Sequence, residues 1–229
     1  MALLAAASTV LITSASAAKE PVRDSALQAV IDRFDSAQTG IQRISASFKE
    51  VKHIALLKAP VVQSGRFFHT KPDKFLWEYT APESKKLLLN GKSIVAYYPE
   101  EKRAEEIKTR FTKRIIEYLG LGSALSDLDD EYEFSFGAGN EFEGTDMLIL
   151  TPRKSRIAKR LAEIRIWLDH DLSHPRQIEY VEVDGDSSKI TFSDIAINPD
   201  IELTKYSITI PDDFEVTKSI SGLFAASSR

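Results

Sequence analysis

Four histidines, His53, His69, His170 and His174, are the residues of this chain best suited to metal binding or proton transfer. His170 and His174 stand four apart, a spacing that would set two ligands on one face of a helix. Asp171-Leu172-Ser173 between them and Pro175 after them instead read as a turn between strands, where that spacing loses its meaning. Cysteine is absent, which excludes disulfides, thiolate metal sites, cysteine nucleophiles and lipid attachment at an N-terminal cysteine. Gly137-Ala138-Gly139 lacks the third glycine and the following helix of a dinucleotide loop, and no G-x-S-x-G elbow is present. The acidic run Asp127-Leu128-Asp129-Asp130-Glu131 reads as a solvated loop. The pattern therefore predicts no enzyme, no metal and no cofactor.

The residue types that stand out are apolar. Phe75, Trp77 and Tyr79 alternate with Leu76 and Glu78, so three aromatic side chains project from one face of a strand. Such a stripe is either packed core or the wall of an apolar binding cavity. The one dense basic run, Arg153-Lys154-Ser155-Arg156-Ile157-Ala158-Lys159-Arg160, is either a solvated hairpin loop or a docking patch for an acidic partner or anionic headgroups.

The elements that must hold the stripe follow from hydrophobic period. Leu27, Val30, Ile31, Phe34 and Ile41 recur at the three-and-four spacing of an amphipathic helix over residues 25–40, with Ser25 and Gln28 as a capping box and Gly40 at its end. The period then changes to two. Ile44, Ala46 and Phe48 alternate with polar residues, and the pattern returns at Tyr132, Phe134 and Phe136, at Ile164, Ile166 and Leu168, at Ile190 and Phe192, and at Ile208 and Ile210. Turn signals at Lys71-Pro72-Asp73, Asn90-Gly91, Gly137-Ala138-Gly139, Asp169-His170-Asp171 and Asp184-Gly185 predict hairpins, hence an antiparallel sheet running up and down. The strand pattern lapses over residues 104–130. There Ile115, Ile116 and Leu119 fall in a short helix stopped by Gly120 and Gly122, and residues 123–128 suit a further turn. A helix interrupting a run of strands is the expected moving part.

The first 13 residues are uncharged and apolar, and Ser14-Ala15-Ser16-Ala17-Ala18 supplies small residues before the polar Lys19-Glu20-Pro21. This predicts a signal peptide over residues 1–18. One domain over 19–220 and a frayed tail over 221–229 follow. The net charge of −4, with Lys and Arg scattered among Asp and Glu, leaves nucleic acid no electrostatic footprint.

The order of these parts resembles the periplasmic outer-membrane lipoprotein carrier family (LolA-like). A leader and an amphipathic helix precede a first strand Ile44-Ser45-Ala46-Ser47-Phe48-Lys49-Glu50, and a second strand ends at Lys71-Pro72. The Phe75-x-Trp77-x-Tyr79 strand, Pro82, the Asn90-Gly91-Lys92-Ser93 hairpin, Tyr97-Tyr98-Pro99, a short lid helix, Leu150-Thr151-Pro152 and Pro211 follow, so the match spans residues 20–218.

The resemblance implies a mainly β protein, a half-open, incomplete antiparallel β-barrel with helices covering an apolar cavity. It implies a periplasmic, monomeric carrier of acylated lipoproteins. An inner-membrane ATP-driven complex would load it and an outer-membrane receptor would unload it. It turns the aromatic stripe into cavity wall, with Phe67, Phe75, Trp77 and Leu87 lining the cavity and Ile115, Ile116 and Leu119 as the apolar face of the lid. Lys71 stands where well-known members carry an arginine that bonds the lid, and lysine lacks the planar fork for several bonds at once. Arg153, Lys154 and Arg156 would form the partner-docking patch. A lipid- or lipoprotein-sensing regulator on the same fold is the alternative.

Overall fold

The computed structural model describes residues 24–108, 124–138, 141–170 and 174–218. The expected signal peptide, the lid helix with Ile115, Ile116 and Leu119, and the tail lie outside these residues. Among the described residues no helix is long and apolar enough to cross a membrane.

Helix α1 (Ser25–Gln38) forms where the spacing predicts it, and its buried side chains are Leu27, Val30, Ile31, Phe34 and Gln38. Its cap differs from expectation. Asp24 is the N-cap, its Oδ1 accepting from the Ala26 amide at 2.8 Å. With Asp24 as the cap, Ser25 is already the first helical residue, so Ser25 and Gln28 do not stand in capping-box register; Gln28 Nε2 donates to Asp32 at 2.8 Å. A carboxylate at this position takes a free amide and favours the positive end of the helix dipole. The helix ends at Thr39, whose amide and hydroxyl both donate to the Ser36 carbonyl. Gly40 is not in the left-handed region. Its carbonyl is instead held by Asn198 Nδ2 at 2.9 Å, while Asn198 Oδ1 accepts from the Gln42 and Arg43 amides.

Among the described residues twelve strands make one sheet: β1 (Arg43–His53), β2 (Val61–Thr70), β3 (Lys74–Ala81), β4 (Lys85–Asn90), β5 (Ser93–Tyr98), β6 (Arg103–Lys108), β7 (Tyr132–Phe136), β8 (Thr145–Pro152), β9 (Leu161–Asp169), β10 (Pro175–Glu182), β11 (Ser187–Ile197) and β12 (Glu215–Thr217). Their order is β12-β6-β5-β4-β3-β2-β1-β11-β10-β9-β8-β7, with β12 and β7 as unjoined edges, so the sheet is open. All neighbours are antiparallel except β12 and β6. The predicted hairpin at Asn90-Gly91 is present with Gly91 at φ +61°, and that at Asp184-Gly185 with Gly185 at φ +94°. The long-range pair β1–β11 joins the two meanders, setting Phe48 opposite Phe192.

Two expectations fail. Residues 104–108 belong to β6, although Glu105 and Glu106 break the apolar alternation. Glu105 is tolerated in a buried position because the Arg103 guanidinium pairs with it. Ile208 and Ile210 do not form a strand. A 3-10 turn, Leu203–Tyr206, precedes them and crosses the outer face, where Phe68, Leu76, Leu88, Ile201 and Tyr206 form a second apolar cluster with Ile208 packed against it. Side-chain bonds hold the turn there: Tyr206 to Thr70 at 2.9 Å, Asn90 to the Tyr206 carbonyl at 3.0 Å, and Lys205 to Glu78 at 2.9 Å. β2, β3 and β4 are thus covered on both faces, which their alternation does not announce.

The main core lies on the inner face. Leu27, Val30, Ile31 and Phe34 of α1 join Phe48, Phe67, Phe75, Trp77, Ile164, Ile166 and Phe192 in one apolar cluster. Each large apolar side chain removed from water contributes roughly 1.5–3 kcal/mol, so this face holds α1 to the sheet.

Candidate functional site

The inner wall is an aromatic array spread over four strands. Phe67 on β2 lies 4.6 Å from Trp77 and 6.4 Å from Phe75 on β3, measured between ring centres. Phe48 on β1 meets Trp77 edge-on at 4.9 Å and Tyr79 at 5.0 Å. Phe192 on β11 closes the set at 5.9 Å from Phe67 and 6.0 Å from Trp77. Such offset and edge-on pairs stabilise by about 0.5–1.5 kcal/mol each beyond area burial. The array depends on Gly65, which lies in register between Phe48 and Tyr79. A Cβ there would sit 1.9 Å from the Glu78 carbonyl oxygen, so only glycine lets β2 approach β3 at this point.

The structure brings Phe67, Phe75 and Trp77 together, 1 to 5% exposed, and packs the half-buried Leu87 against them. Tyr79, the third member of the stripe, completes the wall together with Phe48, Phe192, His69 and His174, which the sequence reading does not place there. His69 could have been found: it shares the parity of Phe67 and Lys71. Its ring stacks on Phe75 at 4.1 Å, and His174 meets Phe192 edge-on at 4.8 Å. Burial, aided by Lys71 and His174, pulls the His69 pKa down to about 3, and burial pulls that of His174 down to about 4. His170 is half exposed and pairs with Asp146 at 3.3 Å, so the two histidines of the 170–174 spacing face different surroundings. Among the described residues no group of metal-binding side chains forms.

At the opposite end of the wall Glu50 is buried, accepting from Ser188 Oγ at 2.7 Å. Burial, then the nearby Glu50 carboxylate, raises the Tyr79 pKa well above the usual phenol value. From Ile44 to Glu50 the wall therefore runs about 20 Å between polar ends.

Helix α1 packs its apolar face into the same cluster as this wall, at the Lys71 end, and is held at three points. Lys71 Nζ donates to the Gln38 carbonyl at 2.6 Å, placing a cation at the negative end of the helix dipole. Burial lowers the Lys71 pKa. Arg33 pairs with Asp146 at 2.7 Å. Asp35 accepts from the Leu125 and Ser126 amides, at 2.6 and 3.1 Å, and so caps the 3-10 turn Leu125–Leu128. Lys71 thus bonds α1, whereas the lid helix it was expected to meet lies outside the described residues. Replacing Lys71 with Met should loosen α1 by about 1 kcal/mol. Amide exchange over residues 25–38 should quicken relative to β3, and Lys71→Arg should not quicken it.

The basic run carries a single helical turn, α2 (Ser155–Ala158), between β8 and β9. Arg153 and Lys154 lie 3.9 and 3.8 Å from Glu133 and Glu131, and Arg156 is exposed. A depression of about 490 Å³ on the outer face, bordered by Phe68, Arg66, Lys205 and Glu202, contains none of the expected site residues.

An open antiparallel sheet whose apolar inner face lies under a helix defines the class. Residues 39–209 match the model of the family described as outer membrane lipoprotein carrier protein LolA, and the chain belongs to that family. A curated protein of Cupriavidus pinatubonensis named outer-membrane lipoprotein carrier protein is 25% identical over 196 residues, covering 84% of this chain and 89% of that protein. One of the same name from Bordetella avium is 24% identical over 161 residues, 68% of this chain and 71% of its own length. A solved LolA superfamily protein of Nitrosomonas europaea superposes with a TM-score of 0.41 at 11% identity, covering 80% of this chain and 97% of that one.

Proposed function

We propose that this chain is an exported, periplasmic, non-enzymatic carrier that holds the acyl chains of lipoproteins against the inner wall and moves them between membranes. The aromatic array beneath α1 carries the reading, because it is a long apolar surface whose cover is a separate element. One 14-carbon chain buried there would contribute on the order of 10 kcal/mol at about 0.8 kcal/mol per methylene. Release needs an opposing term. A helix that buries the same wall when the protein is empty supplies it, since loading then exchanges one apolar cover for another. The names of the curated relatives support the cargo class.

On this reading Phe67, Phe75, Trp77 and Leu87 line the site, Lys71 latches the cover, and Ile115, Ile116 and Leu119 add to the cover when the chain is closed. Arg153, Lys154 and Arg156 meet the acidic surface of a membrane partner, an inner-membrane ATP-driven complex or an outer-membrane receptor. A fluorescent acyl probe should bind the purified protein and be displaced by an acylated lipoprotein, which should then pass to acceptor vesicles bearing the receptor. A protein that binds neither probe nor lipoprotein is not a carrier; one that binds but never delivers is a sensor on the same fold.

A further inference from the structure

At its Lys71 end the inner wall contains two polar groups that packing does not explain. His69 is 1% exposed, and neither ring nitrogen has a hydrogen-bond partner. His174 is 2% exposed; its Nδ1 lies 2.6 Å from the Pro175 carbonyl and its Nε2 has no partner. Leaving such nitrogens dry costs about 1–3 kcal/mol each, so a fold selected for stability alone would place apolar side chains here. Both rings touch the array, His69 through Phe75 and His174 through Phe192, and both lie near the Lys71 end.

Their hydrogen-bonding chemistry is defined. A carbonyl can only accept, so the His174 Nδ1 carries the proton toward Pro175 and Nε2 is left as a bare acceptor. His69, neutral in this setting, brings one N–H and one acceptor. The pair therefore offers a donor and an acceptor on two separate rings near one end of the apolar wall, and a trans amide carries its carbonyl and N–H on opposite edges.

We infer that His69 and His174 bind the polar junction of the acyl cargo and select a secondary amide: His69 donates to its carbonyl oxygen and His174 Nε2 accepts from its N–H. An ester has the carbonyl and lacks the N–H, so it satisfies only His69. The amide class fits a protein acylated on an amino group, whereas an ordinary diacyl lipid presents esters alone. This inference rests on the carrier reading.

The test uses N-dodecylacetamide and dodecyl acetate, which share one chain length and differ at the junction, titrated against the intrinsic tryptophan fluorescence of the full-length protein, to which Trp77 and Trp167 both contribute. The wild type should bind the amide roughly tenfold tighter, the value of about one buried hydrogen bond. His174→Leu should erase that preference by weakening the amide alone, and His174→Gln, which restores an acceptor, should recover it. His69→Phe should weaken both probes alike. Removing unpaired buried nitrogens does not endanger the fold, so melting temperatures should hold or rise. Equal binding of the two probes by the wild type, or a preference that survives His174→Leu, overturns the inference and assigns the nitrogens to an internal water. Failure of the wild type to bind either probe removes the carrier reading itself.

Discussion

Phe75→Glu should abolish acyl-chain binding yet leave a protein that folds. Phe75 is 1% exposed between Phe67 and the stacked His69 ring, in the middle of the proposed wall. A carboxylate there must be desolvated by any alkyl chain laid over it, at about 3 kcal/mol or more, which is at least roughly two decades in Kd. The fold should suffer less than the about 3–5 kcal/mol of a stranded charge in a packed core. Lifting of α1 admits water, and the neighbouring His69 can take a proton and pair with the new carboxylate. If Phe75 is instead an ordinary packing residue the order reverses, and the variant unfolds before its binding can be measured. Thermal unfolding and an acyl-probe titration on the same protein separate the cases. A well-folded variant with unchanged affinity would remove Phe75 from the site.

Acid should begin to destabilise this protein above the range where carboxylates titrate. His69 and His174 have pKa values pulled from 6.5 to about 3 and about 4. Between those values and 6.5 the unfolded chain binds protons that the folded chain refuses, so the slope of unfolding free energy against pH is positive. Above 6.5 both states keep the rings neutral and no penalty arises; as pH falls from 6.5 toward 4 protonation of the unfolded chain lowers the stability progressively. At pH 5 the loss for the two together is about 4 kcal/mol, at 1.36 kcal/mol per pKa unit for each ring. Carboxylates held low by lysine neighbours, such as Glu78 and Glu141, add their own acid sensitivity only below their ordinary value of 4.5. Urea unfolding at pH 7 and pH 5 should show the drop, and the His69→Phe/His174→Leu double variant should flatten it. Equal stability of the wild type at both pH values would mean that the rings meet water in the folded protein.

The parts legible from sequence are those in which one face meets solvent. α1 announces itself because Leu27, Val30, Ile31 and Phe34 form one stripe, and β1, β9 and β11 because their inner residues alternate with polar ones. β6 was missed because its burial of Glu105 depends on Arg103 and on a parallel neighbour, β12, that lies more than a hundred residues away in the chain. Ile208 read as strand because its period is correct. Hydrogen bonds from Thr70 and Asn90 to Tyr206, invisible to any period, hold the preceding turn over the outer face. In the candidate site the Phe75-x-Trp77 stripe was readable from one strand, whereas Phe192 joins it only through the β1–β11 pairing. By spacing alone His174 pairs with His170, and spacing cannot report that the His174 ring is buried and the His170 ring is not.

The absence of a bond between β7 and β12 has a mechanical consequence. A sheet that closes on itself has its girth set by strand number and stagger, and it cannot widen without breaking a ladder. This sheet is a clasp instead of a hoop. Its radius is a soft coordinate, governed by twist and by the grip of α1, and every ladder stays intact as it opens. On the proposed carrier reading, cargo of one, two or three chains would be gripped by the same wall, with bending of the sheet in place of a separate pocket for each.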